Sequence, residues 1–156
     1  MRVLTQIEQK TLCIYLNENL DPCNIGILIC LFTGLRIDEV CALCWEDISF
    51  TDKVINIRHT LQRVQDKTGS EKRAKIVVTT PKSTCSIKTI PLPDSLVNTL
   101  EKDKTVSEGY ALTNITSVFI ESRTMQNHFN RILYECGIEK LIFIQFATPW
   151  RHVVWN

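Results

Sequence analysis

The segment Ile25-Gly26-Ile27-Leu28-Ile29-Cys30-Leu31-Phe32 constrains this chain more than any other. Asp21-Pro22 ahead of it pairs an N-cap residue with a proline at the first helical position. Thr33-Gly34 behind it is a stop signal. A helix that is apolar on nearly every face has to be surrounded by other elements. The run is too short to span a bilayer, and Met1-Arg2-Val3-Leu4-Thr5-Gln6 lacks the apolar core of a signal peptide. A cytoplasmic protein with no membrane partner is expected. With 156 residues, 44% of them apolar and 22% charged, the chain suits one domain with a real hydrophobic core.

The covering elements can be read around that helix. Thr5-x-x-Glu8 is a capping box ahead of Leu12, Ile14, Tyr15 and Leu16. Past Gly34, the residues Ile37, Val40, Cys41 and Leu43 predict a third helix. The period then changes. Val54, Ile55, Ile57, Thr60, Leu61 and Val64 predict one strand with a polar tail, Ala74 to Thr80 a second, and Ser86 to Pro91 a third. Asp66-Lys67-Thr68-Gly69-Ser70 and Pro81-Lys82-Ser83-Thr84 supply the turns. The simplest arrangement is an antiparallel sheet of these three. Pro93-Asp94-Ser95 caps a helix through Leu96, Val97 and Leu100, and a polar loop surrounds Tyr110-Ala111-Leu112. Ser122-Arg123-Thr124 opens a last helix, with Met125, Phe129, Ile132, Leu133 and Cys136 on one face and Gly137 as its stop. The expected class is α+β: a mainly helical domain with a small three-stranded antiparallel sheet.

Seven cysteines at scattered spacing, without a secretion signal, predict reduced thiols. Cys41-x-x-Cys44 could be half of a zinc site, but no second pair follows to complete four ligands. Both cysteines read better as small buried apolar residues at helical spacing, and neither a metal nor a cofactor is expected. Net charge is only +1, yet its distribution is uneven. Residues 1–52 carry three basic and eight acidic side chains, whereas residues 63–88 carry seven basic and two acidic. A basic hairpin in a neutral protein can bind a phosphate backbone, although solvated edge lysines produce the same count.

One stretch carries chemistry. Thr33-Gly34-Leu35-Arg36-Ile37-Asp38-Glu39-Val40, followed by Leu43-Cys44-Trp45-Glu46-Asp47-Ile48, sets an arginine at a glycine-marked turn between two helices. The stem of such an arginine is held and its guanidinium aimed outward, which suits bidentate capture of a phosphate. This stretch resembles the first arginine motif of the tyrosine recombinases, the phage-integrase family. Thr80-Pro81-Lys82-Ser83 with Thr89-Ile90-Pro91-Leu92 resembles the hairpin that carries the family's lysine. Leu4-Thr5-x-x-Glu8 resembles the start of the catalytic domain, and the helix from Thr124 to Cys136 the one before the second arginine motif.

The resemblance implies cleavage and rejoining of double-stranded DNA through a phosphotyrosine, with no metal. Carried over, Arg36 is the first phosphate clamp, Lys82 the general acid for the leaving 5′ oxygen, and Glu39 the support of Arg36 or of its helix. Lys72, Arg73 and Lys75, with Lys82, are the expected DNA-backbone contacts. The partners implied are DNA and, on it, a second copy of this chain or a full-length recombinase. Residues 1–140 are expected to form a partial catalytic domain. Leu141 to Asn156 contains no His-x-x-Arg, and Tyr15, Tyr110 and Tyr134 all precede the place of the nucleophile. Tyr134 is expected to pack on its helix. Translated in the frame that starts at each third codon base, the codons permitted for Ile142 to Asn156 allow Phe-His-Thr-Ile-Arg-His-Thr-Leu-Ala-Thr-Arg-Cys-Val-Glu, a string of the missing type. The expectation is therefore a frameshifted tail at 141–156, with a genuine short protein with its own apolar C-terminus as the rival, on a chain that is inactive by itself and marginal in stability, with the apolar faces of the central and last helices uncovered. The alternative function is a non-catalytic remnant that binds DNA or interferes with the assembly of a full-length relative.

Overall fold

The computed structural model describes residues 4–65, 74–80 and 88–140. Five helices and five strands follow in the order α1 (Gln6–Glu18), α2 (Pro22–Thr33), α3 (Ile37–Cys41), β1 (Ile48–Ser49), β2 (Val54–Ile57), β3 (Thr60–Gln65), β4 (Ala74–Thr79), β5 (Lys88–Pro91), α4 (Asp94–Asp103) and α5 (Ser122–Glu135). A single 3₁₀ turn, Trp45–Asp47, precedes β1.

Helix α2 is the centre, and its ends are fixed as its sequence predicts. The Asn24 amide donates to the Asp21 carboxylate at 2.7 Å, Pro22 opens the helix, and Gly34 closes it at φ 70°. Residues Ile25 and Ile27 to Leu31 are all 2% exposed or less. Helices α1, α3, α4 and α5 all pack against α2. Gly26 marks the tightest approach: a Cβ there would lie 2.4 Å from Met125 Cε and 3.0 Å from Leu112 Cδ1. The uncovering expected of α2 and of the apolar face of α5 is not found, because Met125, Phe129, Ile132 and Leu133 are also buried.

Helix α1 carries its capping box in both directions. The Thr5 amide donates to Glu8 Oε2 at 2.9 Å, and the Glu8 amide donates to Thr5 Oγ1 at 3.2 Å. Asn24 is a buried polar residue, and its side chain is satisfied: Nδ2 donates to the Asn19 carbonyl at 2.5 Å, and Oδ1 lies 2.7 Å from His128 Nε2 on α5.

The strands differ from the expected arrangement. The segment read as one strand from Val54 to Val64 is two, broken at Arg58-His59. Its first half, β2, pairs antiparallel with β5 from Val54↔Pro91 to Ile57↔Lys88. Its second half, β3, pairs with β4 from Thr60↔Thr79 to Gln65↔Ala74. A three-stranded antiparallel sheet does form, in the order β1-β2-β5, with β3-β4 as a separate ribbon. Ile55, Ile57 and Leu61 keep one alternation throughout and are all buried, which is why the division is hidden. At the inward place between Ile57 and Leu61 stands His59, with Nδ1 3.8 Å from the buried Asp47 carboxylate, and there the chain changes sheets. Strand β1 is two residues long, too short to show any alternation.

Helix α3 also stops earlier than its apolar spacing predicts, at Cys41. Leu43 to Trp45 pair instead with the loop after α4. The Trp45 amide donates to the Gly109 carbonyl at 2.9 Å and the Ala111 amide to the Leu43 carbonyl at 2.8 Å. The Trp45 indole donates to Asn114 Oδ1 at 2.8 Å. Cys44 thus lies in a bridge to Tyr110 and is only partly buried, rather than on a helix face.

Candidate functional site

Arg36 stands where α2 hands over to α3. The left-handed Gly34 turns the chain, the buried Leu35 pins it to the core, and Arg36 becomes the N-cap of α3 with extended backbone (φ −72°, ψ 148°). Its carbonyl accepts from the amides of Glu39 and Val40, both at 3.1 Å, and its amide donates to Glu39 Oε2 at 3.0 Å. The backbone on both sides of the Cα is therefore held. The side chain is exposed, and among the described residues no acceptor holds its guanidinium.

The two acids of α3 face structural partners instead. Asp38 accepts a hydrogen bond from the Ser122 hydroxyl at the start of α5. The Glu39 side chain is 12% exposed, and its second oxygen lies 3.1 Å from Lys88 Nζ at the start of β5. Glu39, expected to support Arg36, touches its backbone rather than its guanidinium. Lys75 is exposed on β4, in register with Val64, while Arg63 pairs with Ile76. Neighbouring residues of a strand point to opposite faces, so Lys75 lies on the other face of the ribbon from Arg63. Lys72, Arg73 and Lys82 lie outside the described residues, as does the tail after residue 140.

A cleft of about 70 Å³ lies between the β3-β4 ribbon, α3 and the start of α5. Asp38, Leu61, Gln62, Arg63, Ile76, Ser122 and Arg123 line it. The two arginines were not singled out from the sequence, although each left a signal. Arg63 shares the alternation phase of the buried Leu61. Arg123 is a cation in the first turn of a helix, where the backbone dipole disfavours positive charge. Its walls thus carry two arginines beside the Asp38 carboxylate, which accepts the hydrogen bond of the Ser122 hydroxyl.

A His-x-x-Arg string occurs within α5, at His128 to Arg131. It is no second clamp for Arg36. His128 Nε2 faces Asn24 and Asp21 at the start of α2, and Arg131 Nη2 lies 3.1 Å from His128 Nδ1. Arg131 follows Ser122 by nine residues, roughly 13 Å along the helix. Tyr15 donates to Glu135, which raises the pKa of its phenol, and the Tyr110 ring meets Phe119 edge-on at 5.6 Å. Tyr134, expected to pack on its helix, is 86% exposed, because the apolar stripe of α5 runs through Ile132 and Leu133 instead. Burial pushes the thiols of Cys13 and Cys41 up to about 12 and that of Cys44 to about 11. Among the described residues there is no group of three or more His, Cys, Asp or Glu placed to hold a metal. None of the described helices is long and apolar enough to cross a membrane.

The chain is 27% identical, over 129 residues, to a tyrosine recombinase XerC-like protein of Caldanaerobacter subterraneus subsp. tengcongensis, covering 71% of this chain and 33% of that protein. The fold is that of the Tn1549 transposon integrase solved with transposon right end DNA, at TM-score 0.66 and 20% identity over 92% of this chain and 50% of that one. The XerA recombinase gives a TM-score of 0.64 at 17% identity, over 94% and 48%. The chain thus spans about a third of the curated relative's length and about half of each solved structure. The model of the phage integrase family matches residues 2–148, nearly the whole sequence, and the chain belongs to that family.

Proposed function

We propose that this chain is the part of a tyrosine-recombinase catalytic domain that grips a DNA phosphate, and that by itself it binds DNA without cutting it. The outward guanidinium of Arg36, on a backbone fixed at both neighbours, is the observation that carries this reading. In the reaction, a tyrosine attacks the phosphate, Arg36 takes up charge on the non-bridging oxygens, and Lys82 protonates the leaving 5′ oxygen. Arg63 and Arg123 extend the basic surface beside α3 and meet the backbone of the same duplex. The solved Tn1549 integrase relatives hold DNA, which supports double-stranded DNA as the partner. Leu141 to Asn156 holds neither a tyrosine nor a His-x-x-Arg, which supports a reading in which the nucleophile and the second clamp come from outside these residues. A full-length recombinase sharing the same DNA would supply them.

The test is a suicide-substrate assay together with salt-dependent duplex binding. The expected result is no covalent adduct, and an affinity that falls steeply with salt. Replacing Arg36 with alanine lowers the salt slope by about 0.9, the share of one phosphate contact. Adducts formed by this chain alone would refute its inactivity, and salt-independent binding would refute the phosphate grip. The frame-shifted origin of residues 141–156 is settled separately by the gene's nucleotide sequence. An alternative frame without the His-x-x-Arg codons, or without a later tyrosine codon, rules it out.

A further inference from the structure

We infer that Lys88 is a positioning residue that keeps the guanidinium of Arg36 available to its anionic ligand; the inference rests on the phosphate-gripping reading of Arg36.

Glu39 is the third residue of the helix that Arg36 caps, close enough in sequence for its carboxylate to meet either the amide or the guanidinium of Arg36. A carboxylate that is 12% exposed draws any nearby cation strongly, because little water screens it. Left to itself, Glu39 would close on the Arg36 guanidinium and neutralise the clamp. The structure shows a different partition. Glu39 Oε2 takes the Arg36 amide at 3.0 Å, and Oε1 takes Lys88 Nζ at 3.1 Å. Both oxygens are occupied, and the negative charge is met by a lysine reaching over from another element. Lys88 can do this because β5 pairs with β2, with Ile57 opposite Lys88, which sets the first residue of β5 beside α3. One cationic contact to Oε1 is enough for the role, since the Arg36 amide already holds Oε2. The Lys88 side chain is 55% exposed, so a direct contact to the ligand is the competing role, and the test has to separate the two.

The test compares, in the 156-residue chain, wild type, Lys88→Met, Lys88→Arg, Glu39→Gln, and Lys88→Met with Glu39→Gln together. One arm is free of DNA. The Nε–H signal of Arg36 is followed by nitrogen-edited NMR. Lys88→Met is expected to move it toward a paired, slowly exchanging guanidinium, and the added Glu39→Gln to return it to the wild-type position. The other arm is binding to a short mixed-sequence DNA duplex. Lys88→Met is expected to weaken binding by about tenfold, the scale of one charged hydrogen bond. Lys88→Arg should restore it, and in the Glu39→Gln background Lys88→Met should have almost no effect. An Arg36 signal indifferent to Lys88→Met overturns the positioning role. A binding loss that persists unchanged in Glu39→Gln also overturns it and makes Lys88 a direct contact. If the NMR arm succeeds while Arg36→Ala leaves DNA binding intact, the positioning stands, and it is the phosphate-gripping reading that fails.

Discussion

In the proposed reading, Arg123 serves binding at the expense of its own element. It sits in the first turn of α5, where a cation opposes the helix dipole by about 0.3–1 kcal/mol, and it lines the cleft with Arg63. Arg123→Ala is therefore expected to raise the melting temperature slightly while weakening duplex binding, as read by calorimetry and anisotropy on the same preparation. Equal loss of both would make the residue structural. The cysteines give a second prediction at this scale. Burial keeps Cys13, Cys30 and Cys41 protonated far above neutral pH, and the thiolate is the reactive species. In native protein at pH 8, iodoacetamide is expected to spare these three and to label them only after denaturation. Rapid native labelling of Cys41 would show that the seam between α3 and α5 opens.

At the scale of elements, Gly26 marks where α5 meets α2. Gly26→Leu is expected to cost roughly 1–3 kcal/mol, because the added side chain must displace Met125 and Leu112 from a filled core. Chemical denaturation measures it, and Gly26→Ala should be milder, since the end of Met125 is flexible. Four of the helices were legible because a start or stop signal marks them: Thr5 with Glu8 for α1, Asp21 with Pro22 and Gly34 for α2, Pro93 for α4 and Gly137 for α5. The strands were legible only as a set. Alternation from Ile55 to Leu61 survives the break at His59, so periodicity reports burial but not which partner strand does the pairing. The candidate site was half legible for a similar reason. Arg36 is bracketed by local turn chemistry, whereas Arg63 and Arg123, on the walls of the cleft, come together only because β3 and α5 both pack on α3, which no local pattern encodes.

The whole molecule is organised around one helix touched by four others. Amides of α2 should be the slowest to exchange, at rates set by global unfolding, while those of the two-stranded β3-β4 ribbon should exchange through local opening. Hydrogen exchange followed by mass spectrometry distinguishes the two; equal protection would mean that the ribbon folds as one unit with the core. The placement of α2 also sets a schedule during synthesis. Residues 22–33 leave the ribosome well before Met125 and Phe129, which close over them and come about ninety residues later. At about 5–20 residues per second that interval is on the order of ten seconds. For that time the side of this apolar segment that α5 covers stays open, so the yield in a cell depends on whatever shields nascent chains as much as on final stability.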